Sequence, residues 1–173
     1  LPNMLIACCA GGSNLIGLIH EFLDEPEIIK IGVEAAETAA LSNGTPGIMQ
    51  GMKTYMLQTD DGSKSLGGSS LGAGIQYFSV GPQHAFLKDQ GVVKYTSATD
   101  KEILEAYKLI ASTEGICSAL EPMAGAAELI KQAKNKPKDY LICLNLCGTG
   151  EKDLNTIQEH IGKDFEWKIR KNF

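Results

Sequence analysis

Met4 to Cys9 is an unbroken apolar run. Ala10, Gly11, Gly12, Ser13 and Asn14 interrupt it before Leu15, Ile16, Leu18, Ile19, Phe22 and Leu23 return at the i, i+3, i+4, i+7 spacing of one helix face. A short apolar run closed by glycines reads as a strand buried on both faces, and the spacing after it as a helix from Asn14 to Leu23. The break is a strand-to-helix turn. A second apolar run, Ile28 to Val33, follows Pro26 and completes a βαβ unit, whose strands are expected to pair in parallel through a right-handed crossover.

Further along, Asn43 to Gly47 reads as a turn and Thr59 to Gly62 as another, at a hairpin tip. Residues 65–82 carry little periodicity, yet Leu66, Leu71, Ile75, Tyr77 and Phe78 suit an ordered loop packed on the domain. Pro82 opens a short helix through Gln90 that Gly91 ends, and Val92 to Ser97 is a strand by its β-branched content. Thr99 and Glu102 have the spacing of a capping box, opening a helix with Ile103, Leu104, Tyr107 and Ile110 on one face and Gly115 at its end. Pro122 to Lys134 is the next helix, with Met123, Ala127 and Ile130 inward. Tyr140 to Leu146 is a fully apolar strand that breaks at Cys147 to Asp153 before a last helix to about Ile161. Phe165, Trp167 and Ile169 alternate with charged neighbours, as in an edge strand or packed extension. The expected fold is α/β, three-layered, a mostly parallel open sheet with helices on both faces, with one domain over 1–162 and a tail over 163–173.

Composition narrows the function. The chain has 173 residues and a formal net charge of -5 with scattered acids and bases, so no basic stripe follows a nucleic-acid backbone. No apolar run reaches the length of a membrane span and no cleavable leader opens the chain, which reads as intracellular and cytoplasmic. The 5 cysteines, Cys8, Cys9, Cys117, Cys143 and Cys147, form no C-x-x-C pair, and they read as reduced residues of an apolar core. His20, His84 and His160 are too far apart in sequence to make a ligand pattern.

The chemistry concentrates in the first break. Glycines at a strand-to-helix turn let an anion approach the backbone, and the free N–H groups of the helix start favour a phosphate, with Ser13 and Asn14 adding side-chain donors or a cap. Residues 10–17 satisfy neither the dinucleotide fingerprint nor the nucleoside-triphosphate loop, so a plain tight turn stays open as the alternative. The strand-glycine-helix junction at Cys147 is a second such place. In open parallel sheets, ligands bind outside the carboxyl ends of strands, so both loops can open onto one crevice.

Taken together, "AGGSN", "GVEAA", "GMKTYMLQTDDG", "SLGAGIQY", "VGPQHAFLKD", "TDKEILEAYKLIASTEGICSALE" and "LNLCGTGEKD" resemble, in order, the C-terminal portion of the tryptophan synthase β family. The likeness runs from about Met4 to Ile161. It implies a fold-type II pyridoxal-phosphate lyase of tryptophan and amino-acid biosynthesis that joins L-serine and indole into L-tryptophan. The implied partners are an α subunit and a second β chain in an oligomer. By the same resemblance, Gly11, Gly12, Ser13 and Asn14 cradle the cofactor's phosphate, Gly74 lies close to its ring, and Cys147 stands beside its ring nitrogen as an uncharged donor that restrains the electron sink. Glu121 matches a pocket glutamate, and the carbonyls of Ala10, Tyr77 and Ser79 fall where the family binds a monovalent cation, sodium or potassium.

The chain departs from the family pattern at several of these places. Gln76 stands for an aspartate, Thr149 for an arginine, Cys147 for a serine, Pro122 and Ala124 for a serine and a histidine, and Ala10 for the first glycine of the phosphate loop. The segment from Glu34 to Ser42 is also short. In the family the Schiff-base lysine, the indole-binding glutamate and a mobile domain precede the first residue here, and no lysine present, Lys53 included, takes that lysine's place. The expectation is therefore the C-terminal domain of a longer enzyme, inactive by itself. Two other readings stand beside it. One is another fold-type II enzyme of the serine or threonine dehydratase kind, which "GMKTYMLQ" and "VGPQHAFLKD" disfavour; the other is a non-catalytic phosphate-binding or scaffold domain.

Overall fold

The computed structural model describes residues 1–161 of the chain. The expected tail around Phe165, Trp167 and Ile169 lies outside the described residues. Four strands build the main sheet: β1 (Met4–Cys8), β2 (Ile29–Ala35), β5 (Lys94–Ala98) and β6 (Ile142–Leu144). Their order is β5-β2-β1-β6, and every pairing is parallel. A separate antiparallel hairpin joins β3 (Thr45–Met49) and β4 (Met52–Met56).

Because β1 is central, its side chains alternate into two cores. On one face Leu5, Ala7 and Cys9 pack with Leu15 and Ile19 of α1 (Ser13–Ile19), Leu41 of α2 (Ala40–Asn43) and Leu87 of α3 (Pro82–Asp89). On the other, Met4, Ile6 and Cys8 pack with Ile103 and Tyr107 of α4 (Asp100–Glu114), Met123 and Ala126 of α5 (Glu121–Ala133) and Ile157 of α6 (Leu154–Ile161). Helices therefore cover both faces, as the apolar runs require. Residues Glu121 to Glu128 of α5 are buried throughout, since this helix lies between the sheet and α4.

Local signals carried over well where they were chemical. Thr99 accepts from the Glu102 amide while the Glu102 side chain accepts from the Thr99 amide, and Gly115 ends α4 in the left-handed region at φ 69°. The turn at Thr59 to Gly62 closes with Gly62 N–H on the Thr59 carbonyl.

Four expectations needed correction. The helix from Asn14 is α only to Ile19 and tightens into a 3-10 turn over His20–Phe22. Pro46 and Gly47 are not in a turn but within β3, where a two-stranded hairpin spares the ladder bond that proline lacks. The strand expected over Tyr140 to Leu146 contracts to Ile142–Leu144, because among the described residues β6 is the sheet edge and pairs only with β1, leaving Leu141 and Cys143 exposed. Cys117 is exposed too, so two of the five cysteines lie outside the core.

The glycine-rich stretch is ordered by polar ties more than by its apolar residues. Asp100 accepts from the Ser70 hydroxyl and the Leu71 amide, and Thr38 donates to the Ile75 carbonyl. Ile75 is buried, but Leu66, Tyr77 and Phe78 remain exposed.

Candidate functional site

Parallel pairing of β1 with β6 puts their carboxyl ends on one side, so the loops that follow them meet. They open into a cleft of about 300 Å³ lined by Ala10 to Asn14, Gly74, Tyr77, Glu121, Cys147 and Lys152 among others. That volume is at the lower end for ligand pockets, roughly 300–1,000 Å³. Every residue that the resemblance assigns to cofactor, pocket or cation lies on this lining except Ser79, which is buried, bridged to Met56, with its hydroxyl unpartnered.

The first loop is shaped from behind. Gly12 has φ 103° and caps α1, and its carbonyl is held by the Ile16 amide at 3.0 Å and His84 Nε2 at 2.8 Å. His84 in turn meets the Tyr95 hydroxyl through Nδ1, at 2.8 Å. Burial keeps His84 below its ordinary range, which favours the neutral ring this arrangement needs. The Gly81 amide fixes the Gly11 carbonyl at 3.1 Å. Among the described residues outside helices and strands, no backbone carbonyl accepts from the amides of Gly11 to Leu15. The loop therefore leaves these amides free while the Gly11 and Gly12 carbonyls are tied down, an arrangement that suits an anion.

At the other end, the Cys147 sulfur lies 3.9 Å from that of Cys8, and Asn14 Nδ2 reaches the Cys8 carbonyl at 2.9 Å and the two sulfurs at 3.3 and 3.9 Å. The Cys8 S–H hydrogen bond draws the Cys147 thiol down to about 6, against burial, while the same bond and burial push Cys8 far up. Of the two sulfurs, Cys147 is the one on which the thiolate is favoured, and Asn14 adds its amide beside it.

Glu121 forms the third side. It accepts from the Gly74 amide at 2.6 Å and from Lys152 Nζ at 2.8 and 2.9 Å, and Lys152 also reaches both oxygens of Asp153. Burial acts to raise the Glu121 carboxyl, but the Lys152 hydrogen bond and the Gly74 amide outweigh it and the net shift is downward. A Cβ on Gly74 would lie 2.7 Å from Glu121 Oε1, so glycine is what lets the carboxylate approach this loop.

Lys152, Asp153, His84 and Cys8 went unassigned in the sequence reading of the site. His84 and Lys152 sit inside quoted motifs, but nothing in their spacing reports a contact 72 or 31 residues away. Gln76 donates to the Ser70 carbonyl and Thr149 caps the Glu151 amide, both on the surface. Pro122 and Ala124 are buried in α5. Among the described residues, no backbone N–H outside helices and strands donates to the carbonyls of Ala10, Tyr77 or Ser79. No group of three or more metal-ligating side chains occurs among the described residues, and none of their helices is long and apolar enough to cross a membrane.

A parallel sheet whose carboxyl ends carry two glycine loops around one cleft is the arrangement in which open α/β domains bind ligands. The same fold is found in O-ureido-L-serine synthase (TM-score 0.67, 16% identity, 94% of this chain and 45% of that one) and in a threonine deaminase of T.th. (TM-score 0.60, 17% identity, 86% and 50%). It is the fold-type II architecture that the resemblance implies.

In sequence, the chain is similar over nearly its whole length to the C-terminal part of tryptophan synthase beta chains. The one from Dinoroseobacter shibae is 46% identical over 178 residues, covering 98% of this chain and 43% of its own length. Those from Ruegeria sp. and Cereibacter sphaeroides are 46% and 44% identical, with 95% and 96% of this chain covered and 41% and 42% of theirs. The chain thus spans about two-fifths of the length of the curated relatives it matches. No family model matches it.

Proposed function

We propose that the cleft is one half of a pyridoxal 5'-phosphate site, and that the protein carrying this chain is a PLP-dependent lyase making L-tryptophan from L-serine and indole. The observation that carries this reading is the meeting of the Ala10–Asn14 loop with Cys147, 133 residues beyond Asn14, on one cleft in a chain so similar to tryptophan synthase beta chains.

The lining suits that cofactor. Gly11, Gly12, Ser13 and Asn14 offer amides and a hydroxyl to its phosphate, and Gly74 leaves room beside its ring. Bound there, pyridoxal phosphate supplies an electron sink for a carbanion at the amino-acid Cα. Cys147 would meet the ring nitrogen, its S–H serving as an uncharged donor that restrains the electron sink. The Glu121–Lys152 pair keeps a fixed, internally neutralised charge at the cleft wall, so the carboxylate stays ionised. Ala10, Tyr77 and Ser79 would supply carbonyls to a sodium or potassium ion, for which their lack of backbone donors speaks.

The Schiff-base lysine would come from outside residues 1–173, within the portion of the relatives this chain does not match. The partners of the whole protein would be an α subunit and a second copy of the β chain, and its place the cytoplasm. The test is product analysis with the full-length protein, pyridoxal phosphate, L-serine and indole. L-Tryptophan forming only with all three supports the reading; keto acid from serine or threonine without tryptophan would replace it by a dehydratase, and no product at all would leave a binding domain.

A further inference from the structure

Cys8 and Cys147 are brought together from opposite ends of the chain, 139 residues apart, with their sulfurs 3.9 Å from each other. Both line the cleft, but they differ in exposure: Cys147 is partly exposed, so a small solute reaches it first, whereas Cys8 is only 5% exposed. Asn14 points its amide at both sulfurs. The neighbouring Cys9 faces the opposite core with Leu5 and Ala7, and Cys117 and Cys143 lie exposed elsewhere on the surface.

We propose that Cys8 and Cys147 form a redox-active dithiol that a hydroperoxide converts to a disulfide across the floor of the cleft. The Cys147 thiolate attacks the terminal oxygen of the peroxide, the O–O bond breaks and the departing hydroxide or alkoxide takes a proton from solvent to leave as water or an alcohol, giving a sulfenic acid. The Cys8 sulfur then attacks that of Cys147; the S–OH bond breaks, the Cys8 proton leaves with the hydroxide as water, and an S–S bond remains. Two thiols are oxidised and one peroxide is reduced. The division of labour follows the environment, because Cys147 is both the accessible sulfur and the one that donors hold toward the thiolate.

Closing the bond draws the sulfurs from 3.9 Å to about 2.05 Å and removes the thiolate that Asn14 contacts. Both consequences fall on the loops that frame the cleft, so oxidation closes down binding there and reduction restores it. None of this depends on which cofactor the cleft takes.

The experiment is peptide mapping of the protein as its source makes it, reduced, freed of reductant, treated with graded hydrogen peroxide, then blocked with N-ethylmaleimide and digested. The expected product is a cross-link assigned by fragment ions to Cys8 and Cys147, reversed by dithiothreitol and formed roughly tenfold faster than any oxidation of Cys117 or Cys143. In Cys8→Ser, dimedone should capture a sulfenic acid on Cys147 and no cross-link should form. Cys8 and Cys147 both remaining free to react with maleimide while Cys117 and Cys143 are oxidised would overturn the proposal. So would oxidation of Cys147 to sulfinic acid without a cross-link in the unsubstituted protein.

Discussion

The His84 imidazole occupies the space a side chain on Gly12 would need: a Cβ there would lie 2.0 Å from His84 Cδ2, while His84 Nε2 holds the Gly12 carbonyl at 2.8 Å. One contact thus fixes both the residue type and the conformation of the loop. Gly12→Ala has to escape both a left-handed φ and an overlap with a buried ring, a cost of about 2–5 kcal/mol from strain of ~1–2 and overpacking of ~1–3. Urea unfolding should show this loss, and His84→Ala in the same background should return part of it by making room. A Gly12→Ala protein as stable as the parent would mean the ring is not held there.

Gly74→Ala should act on the opposite wall. Its Cβ would meet Glu121 Oε1 at 2.7 Å, and the amide bond to that oxygen would stretch. Losing one charge-assisted hydrogen bond costs roughly 1.5–3 kcal/mol, less here because the wall is partly wet. Thermal melts should place the loss near 1 kcal/mol, well below that of Gly12→Ala.

Lys152→Met should make stability depend on pH differently. Glu121 is held below 4.5 in the folded chain, so its contribution is present above that pH and is lost as pH falls through the folded value. Without Lys152, burial alone would raise the carboxyl. The variant should trail the parent by about 1 kcal/mol at pH 7, after allowance for solvent screening, and the gap should narrow below pH 4.5. Denaturant titrations at pH 7 and 4 check this, and an unchanged gap would show that Lys152 contributes only packing.

Cys147 should alkylate as a low-pH thiol. Cys8 and Asn14 lower it while the Glu121 carboxylate and burial oppose, and the balance is about 6. Iodoacetamide labelling of Cys147 should therefore reach half its plateau rate near pH 6, and in Cys8→Ala, which leaves no donor at that position, the midpoint should move up toward 9.0. A midpoint near 9.0 in the unsubstituted protein would remove the Cys8 hydrogen bond from the description.

Much of the fold is written locally. Met4 to Cys9 reads as a doubly buried strand because both of its faces are covered, and α4 is bracketed by the Thr99–Glu102 bonds, three residues apart, and by the left-handed backbone of Gly115. The resemblance places the cleft residues because several motifs recur in order. The features with no sequence signature are the long-range ones: His84 behind Gly12, Lys152 on Glu121, and Cys8 against Cys147. Each depends on how separate elements dock, which hydrophobic periodicity does not encode. The short β6 illustrates the same limit, since Tyr140 to Leu146 is as apolar as a central strand and only the sheet order makes it an edge.

Whether the Ala10–Asn14 loop and Cys147 grip one ligand is measured most directly by titrating the full-length protein with pyridoxal phosphate, alongside Ser13→Asp and Cys147→Ala. A carboxylate at residue 13 would face the phosphate, so Ser13→Asp should bind at least about 100-fold more weakly, some 2.7 kcal/mol, with its melting temperature unchanged. Cys147→Ala should weaken binding as well and shift the absorbance of the bound cofactor. Unaltered affinity in Ser13→Asp, or a bound spectrum indifferent to Cys147, would contradict a single cofactor held between the two loops.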